Sequence, residues 1–184
     1  MRSNLSKAGM LIVITLSILI SASAKNSTTP INNDSLKAQL LRDWERAKAY
    51  TKEYLDAMPA GKYSARPVDS IRSFAEQMLH LAQGNVNLVS NGTGKERIFT
   101  GRNLEKSSTA QNKDSVVYYV MTSYDYCIDG IKNMDASKLE EPSARGITRL
   151  AWILKGFEHQ THHRGQCTIY IRLQGVRPPA EKLL

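Results

Sequence analysis

Four long segments of this 184-residue chain place apolar side chains at three- and four-residue steps. That spacing turns one face of a 3.6-residue helix toward a core. The first segment runs from about Asp34 to Met58, with Leu36, Leu40, Trp44, Ala47, Tyr54 and Leu55 on its apolar side. Asp34 or Ser35 is expected to cap it, and Pro59 to end it. The second runs from about Asp69 to Ser90, with Ile71, Phe74, Met78, Leu81 and Leu88 as its stripe and Asp69 as the expected cap. The third, about Asp114 to Met134, carries Val116, Val117, Val120, Tyr124, Cys127 and Ile131. It is rich in Tyr and Val, which favour strands, but its length and period favour helix. The fourth runs from about Ile147 to Gln174 and stops at Gly175, with Pro178-Pro179 just beyond. The expectation is an all-α four-helix bundle. Pro59 to Val68 joins helices one and two, and the polar stretch Asn91 to Lys113 separates helices two and three. A connection that long suits a crossover along the bundle.

The N-terminus reads as an export signal. Arg2 and Lys7 precede an apolar run from Met10 to Ile20, and Ala22-Ser23-Ala24 supplies a small-x-small cleavage pattern. Residues 1–24 are therefore expected to be a signal peptide, 25–33 a flexible leader and 34–184 the bundle domain. The apolar run is short against the roughly 20 residues a membrane span needs, so no stable span is expected after cleavage. An uncleaved anchor is the alternative. The expected location is periplasmic or secreted. Formal charge is +8, falling to about +6 once Arg2 and Lys7 leave. The basic residues are scattered without interleaved aromatics, so no nucleic-acid partner is expected. Cys127 and Cys167 lack metal or redox spacing and read as buried free thiols, a single bridge being the alternative.

The chemistry lies on helix four. Counted in alternating steps of four and three, its seam is Trp152, Gly156, His159, His163, Gln166, Tyr170 and Leu173. Two histidines and a glutamine stand where Leu or Ile would be expected. Residues four apart share a helix face, about 6 Å apart along the axis, and two imidazoles so placed can converge on one metal ion. A third histidine, His80, sits in helix two and can complete the set, while His162 points off the seam. The pattern is not that of a zinc protease, because Gln160 stands where His-Glu-x-x-His carries its general base. Glu76, one turn before His80, and Gln166 are the candidates for a catalytic or supporting role.

Several segments together resemble the DinB/YfiT-like superfamily of four-helix metalloproteins. They are Ile71 to Ala82, the run His159-Gln160-Thr161-His162-His163-Arg164-Gly165-Gln166, and Tyr170 to Gly175 with Pro178-Pro179. Trp44 through Arg66-Pro67 also fits the first helix and its loop. The resemblance covers nearly all of residues 34–184. It implies an up-down-down-up bundle, which agrees with the long crossover between helices two and three. It also implies a divalent metal, zinc or nickel in first place, bound by His80, His159 and His163. Characterised relatives in this superfamily include thiol-dependent transferases.

Two function classes follow. One is an exported metal-dependent enzyme, of hydrolase or thiol-dependent transferase type, acting on a small-molecule substrate. Three neutral imidazoles leave an ion its full charge and an open position. The alternative is a non-catalytic metal-binding envelope or stress protein, in which a structural metal joins helices two and four. A homodimer is compatible with either. Metal binding is expected to weaken as pH falls through about 6, because the ligands must be neutral.

Overall fold

The computed structural model describes residues 32–183. The expected signal peptide and most of the expected leader lie outside the described residues. Four α-helices form the domain: α1 (Asn33–Ala57), α2 (Phe74–Thr93), α3 (Lys113–Asn133) and α4 (Arg149–Leu173). None of the described helices is long and apolar enough to cross a membrane.

Each helix begins where a side chain can satisfy its open backbone N–H groups. Asn32 accepts from the amides of Asp34 and Ser35, so the cap of α1 lies just before the two candidates read from the sequence. The start of α2 departs further from expectation. Asp69 is not its cap; Ser73 is, and it forms a reciprocal capping box with Glu76. Ile71 consequently lies outside the helix and is 43% exposed rather than part of a core stripe. Asn112 caps α3 through the Ser115 amide, and Thr148 caps α4 through the Ala151 amide. Gly94 and Gly175 adopt positive φ at the ends of α2 and α4, a backbone region open to glycine at little cost.

Cross-helix contacts give the topology. α1 opposes α3 in antiparallel register: Lys37 donates to the Met134 carbonyl at one end, and Thr51 meets the Tyr124 hydroxyl at 2.7 Å further along. α1 runs parallel to α4, with Trp44 packed on Phe157 and the Tyr54 hydroxyl 3.1 Å from Thr168. α2 runs parallel to α3, since Asn85 donates to Ser123 and Thr93 packs on Gly130. α2 and α4 are antiparallel, with Gly92 against Ile153 and Gly84 against His159. The bundle is up-down-down-up. Two parallel neighbours cannot be joined by a tight turn, so the segment between α2 and α3 travels the length of the bundle. It turns sharply at Phe99 and Gly101, both at positive φ, and includes a short 3-10 turn at Leu104–Lys106.

The core centres on Trp44, Phe74, Met78, Leu81, Tyr124 and Ile153, all fully buried. Both cysteines are buried and free, and burial pushes their thiols up, so neither is a ready nucleophile. The expected seam of α4 needs correction. Leu173 is 60% exposed, whereas Gln160 and Arg164 are buried. Gln160 accepts from Arg164 at 2.7 Å and from the Tyr124 hydroxyl at 2.8 Å. Arg164 also reaches Thr51 and lies over the Tyr50 ring. These polar groups satisfy one another across α1, α3 and α4, which is why residues of surface type occupy the interior.

Candidate metal centre

Helix register brings the histidines together. His80 of α2 faces one turn of α4, and that turn presents His159 at one end and His163 at the other. The Nε2 atoms of His80 and His159 are 3.3 Å apart. The His80–His163 and His159–His163 ring centroids are 4.5 and 4.4 Å apart. One ring nitrogen from each residue lies within 4.8 Å of the other two. Imidazole nitrogens bound about 2.0–2.1 Å from a tetrahedral ion stand roughly 3.3 Å from one another. The His80–His159 pair already has that spacing.

Room for the rings is built into α2. A Cβ at Gly84 would lie 2.0 Å from Cε1 of His159. Any larger residue there would displace the imidazole. Gly84 sits one turn beyond His80, so it and His80 share a face.

Glu105, from the short turn in the crossover, was not among the residues singled out in the sequence. Its carboxylate lies 2.5 Å from Nδ1 of His80 and accepts from Nε of Arg72 at 2.7 Å. Partial burial would raise its pKa, but the hydrogen bonds from Arg72 and His80 outweigh that and hold it below its ordinary value. An ionised carboxylate can only accept, so His80 donates through Nδ1. In the neutral ring that tautomer leaves the lone pair on Nε2, the atom that faces Nε2 of His159 at 3.3 Å. Ligating histidines are commonly oriented by this kind of carboxylate.

Electrostatics point the same way. Burial, reinforced by the neighbouring His80, brings the pKa of His159 down from 6.5 to about 4. Burial and the neighbouring His159 bring His163 down to about 3. Both rings are neutral at ordinary pH, as metal ligands must be. Each also has a buried Nδ1 without a hydrogen-bond partner. Unsatisfied buried nitrogens at a cluster of neutral imidazoles fit a divalent cation.

The remaining candidates lie to one side. Glu76 is engaged with the Ser73 amide at 2.7 Å and with Arg66 at 3.3 Å. Gln166 donates to the exposed His162 at 3.0 Å. Both line a cleft next to Glu105, whereas His80 and His159 open on a different cavity of about 490 Å3.

Two outcomes follow from this geometry. Glu105→Gln keeps the shape but removes the charge that fixes His80, so metal affinity is expected to fall about tenfold, the lower end for loss of such a partner. Competition with a chromophoric chelator measures it. The second concerns pH. In chelator-treated protein the folded state holds His159 and His163 neutral to about 4 and 3, while the unfolded chain protonates them near 6.5. The unfolded state therefore binds more protons below that pH, so the stability linked to these rings is present above about 6.5 and is lost as pH falls toward 4. Urea midpoints at pH 7, 6 and 5 should decline, and a His159→Gln/His163→Gln double substitution should flatten the decline.

An all-α bundle with three histidines converging from its second and fourth helices belongs to the four-helix proteins with a candidate divalent-metal centre. The chain is a member of the DinB family, whose model matches residues 26–184. Solved structures that match include a DinB-like protein from Bacillus cereus ATCC 10987. The two are 17% identical, with a TM-score of 0.67 over 79% of this chain and 97% of that one. That likeness establishes the shared fold. No curated protein matches at a significant level.

Proposed function

We propose that this protein is an exported metal-dependent enzyme that binds one divalent ion, zinc or nickel, through His80, His159 and His163. The observation that carries the reading is that the cluster has three members among the described residues and borders an open cavity. A structural site would more commonly have four protein ligands. When bound, such an ion supplies Lewis acidity, either polarising a substrate carbonyl or lowering the pKa of a water or thiol. Glu105 holds His80 in the ligating tautomer, Gly84 leaves space for His159, and the crossover walls the cavity. The reaction classes that fit are hydrolysis and thiol-dependent group transfer on a small molecule. Export rests on the first 24 residues, whose cleavage after Ala24 would leave Lys25 as the first residue.

The test begins with protein isolated from the envelope fraction, with its intact mass and metal content measured. Cobalt substitution then asks whether the site is open. A spectrum that shifts with azide, imidazole or a small thiol supports an exchangeable position, and a screen with thiol-transfer and hydrolase substrates follows. A spectrum unmoved by all three, with stability lost on chelation, would retire the enzyme and leave a metal that only joins α2 to α4.

A further inference from the structure

Next to the histidines, the crossover places a cation that lacks a carboxylate partner. Arg102 lines the 490 Å3 cavity together with His80 and His159, and it also lines an adjoining cavity of about 270 Å3. Its backbone is pinned: Gln83 donates to the Arg102 carbonyl at 2.9 Å and accepts from the Leu104 amide at 3.0 Å. Its side chain is not. The guanidinium makes one long contact, 3.4 Å to the Tyr119 hydroxyl, and among the described residues it forms no salt bridge. The nearby carboxylate, Glu105, is already matched by Arg72 and His80. Asn87, exposed on α2, lines both cavities and places a side-chain amide on the same wall as Gly84 and His80. His80, Gly84 and Asn87 follow one another at helical spacing, so the stretch from His80 to Asn87 spans about 10 Å.

We propose that Arg102, with Asn87 beside it, forms a subsite for a carboxylate on the substrate, whose reacting centre then lies at the three histidines. The substrate class is a small carboxylic acid derivative with a short chain between the acid and the reacting group. In the cavity that borders the histidines Arg102 is the one guanidinium among the described residues, Arg97 of the adjoining cavity being held by Ser90 and Asn91. One guanidinium fits a monoanion, because a dianion would carry excess negative charge into a cavity that already holds ionised Glu105. The guanidinium fork suits a carboxylate's two oxygens, and the Asn87 amide can donate to one of them. This inference rests on the metal-centre reading above and names the kind of molecule that centre acts on.

The experiment compares three probes on cobalt-substituted protein by spectral titration. They are acetohydroxamate, which is uncharged beyond its metal-binding group, and the monohydroxamates of succinate and glutarate, which add a carboxylate at two spacings. One charge-assisted hydrogen-bonded pair at a partly exposed site is expected to be worth about tenfold in affinity. The better of the two acids should bind about tenfold more tightly than acetohydroxamate. Arg102→Gln should abolish that advantage while leaving acetohydroxamate binding unchanged, and raised salt should shrink it. Arg102 is exposed and makes no strong contact, so the variant is expected to fold normally. Equal binding of all three probes, or an advantage that survives Arg102→Gln, would overturn the subsite and leave the metal centre standing. Failure of every probe to perturb the cobalt spectrum would overturn the open metal centre, and the subsite with it.

Discussion

Replacing His163 with alanine is expected to weaken divalent-metal binding by about a hundredfold or more. Structural zinc sites supply roughly 10–16 kcal/mol over their ligands, so each ligand carries about 3 kcal/mol or more, and 1.4 kcal/mol is a decade of affinity. His163 is the most buried of the three histidines. The folded metal-free protein should tolerate the change, because the lost ring carries a buried Nδ1 without a partner. The control is His162→Ala. That residue is adjacent in sequence, but it is exposed and bonded to Gln166, so its loss should leave affinity unchanged. Metal titration of the two variants, alongside urea unfolding, decides the register. If His162→Ala abolishes binding and His163→Ala does not, the site has been assigned to the wrong face of α4.

Gly84→Ala is expected to separate folding from metal binding. In a helix interior alanine is favoured over glycine by about 1 kcal/mol. The new methyl would nevertheless sit 2.0 Å from Cε1 of His159. The obstructing atoms belong to the tip of a half-buried side chain, so the ring can swing aside and the helix need not move. The cost then falls on coordination. Thermal stability of the metal-free protein should be unchanged or slightly raised, while metal affinity drops by about a hundredfold, at or beyond the upper range for a lost supporting contact. A drop in stability with affinity intact would mean that the ring is not held where the helix register places it.

Much of this architecture was legible in the chain. The three-and-four periodicity located all four helices, Pro59 and Gly175 marked two ends, and the polar stretch between the second and third stripes pointed to a crossover. The H-x-x-x-H pair placed two imidazoles on one face. What escaped did so for physical reasons. Ser73-x-x-Glu76 carries the capping-box signature, yet Asp69 is an equally good cap by residue type and Ile71 continues the apolar period. The structure resolves that ambiguity because the chain turns before Ser73. Gln160 and Arg164 lie off the expected seam and are polar, and only Thr51 and Tyr124, far away in sequence, satisfy them in the interior. Glu105 and Arg102 lie in irregular backbone, where no period says which way a side chain points. Gly84 was visible as a glycine inside a helix, a pattern that often marks close approach, but its neighbour across the bundle was not.

The parallel arrangement of α2 and α3 has a consequence for how such a site can diversify. The chain must return the full length of the bundle between them, and its path walls the cavity on which His80 and His159 open. Candidate metal ligands and cavity wall are thus drawn from different kinds of backbone. The former are locked into packed helices, where substitutions disturb the core. The latter is a surface traverse anchored at Gln83 and His80, where length and composition can change at modest thermodynamic cost. Transplanting residues 95–112 from another bundle of this topology, with Glu105 retained to hold His80, should therefore change which small molecules reach the histidines while the three rings stay in place.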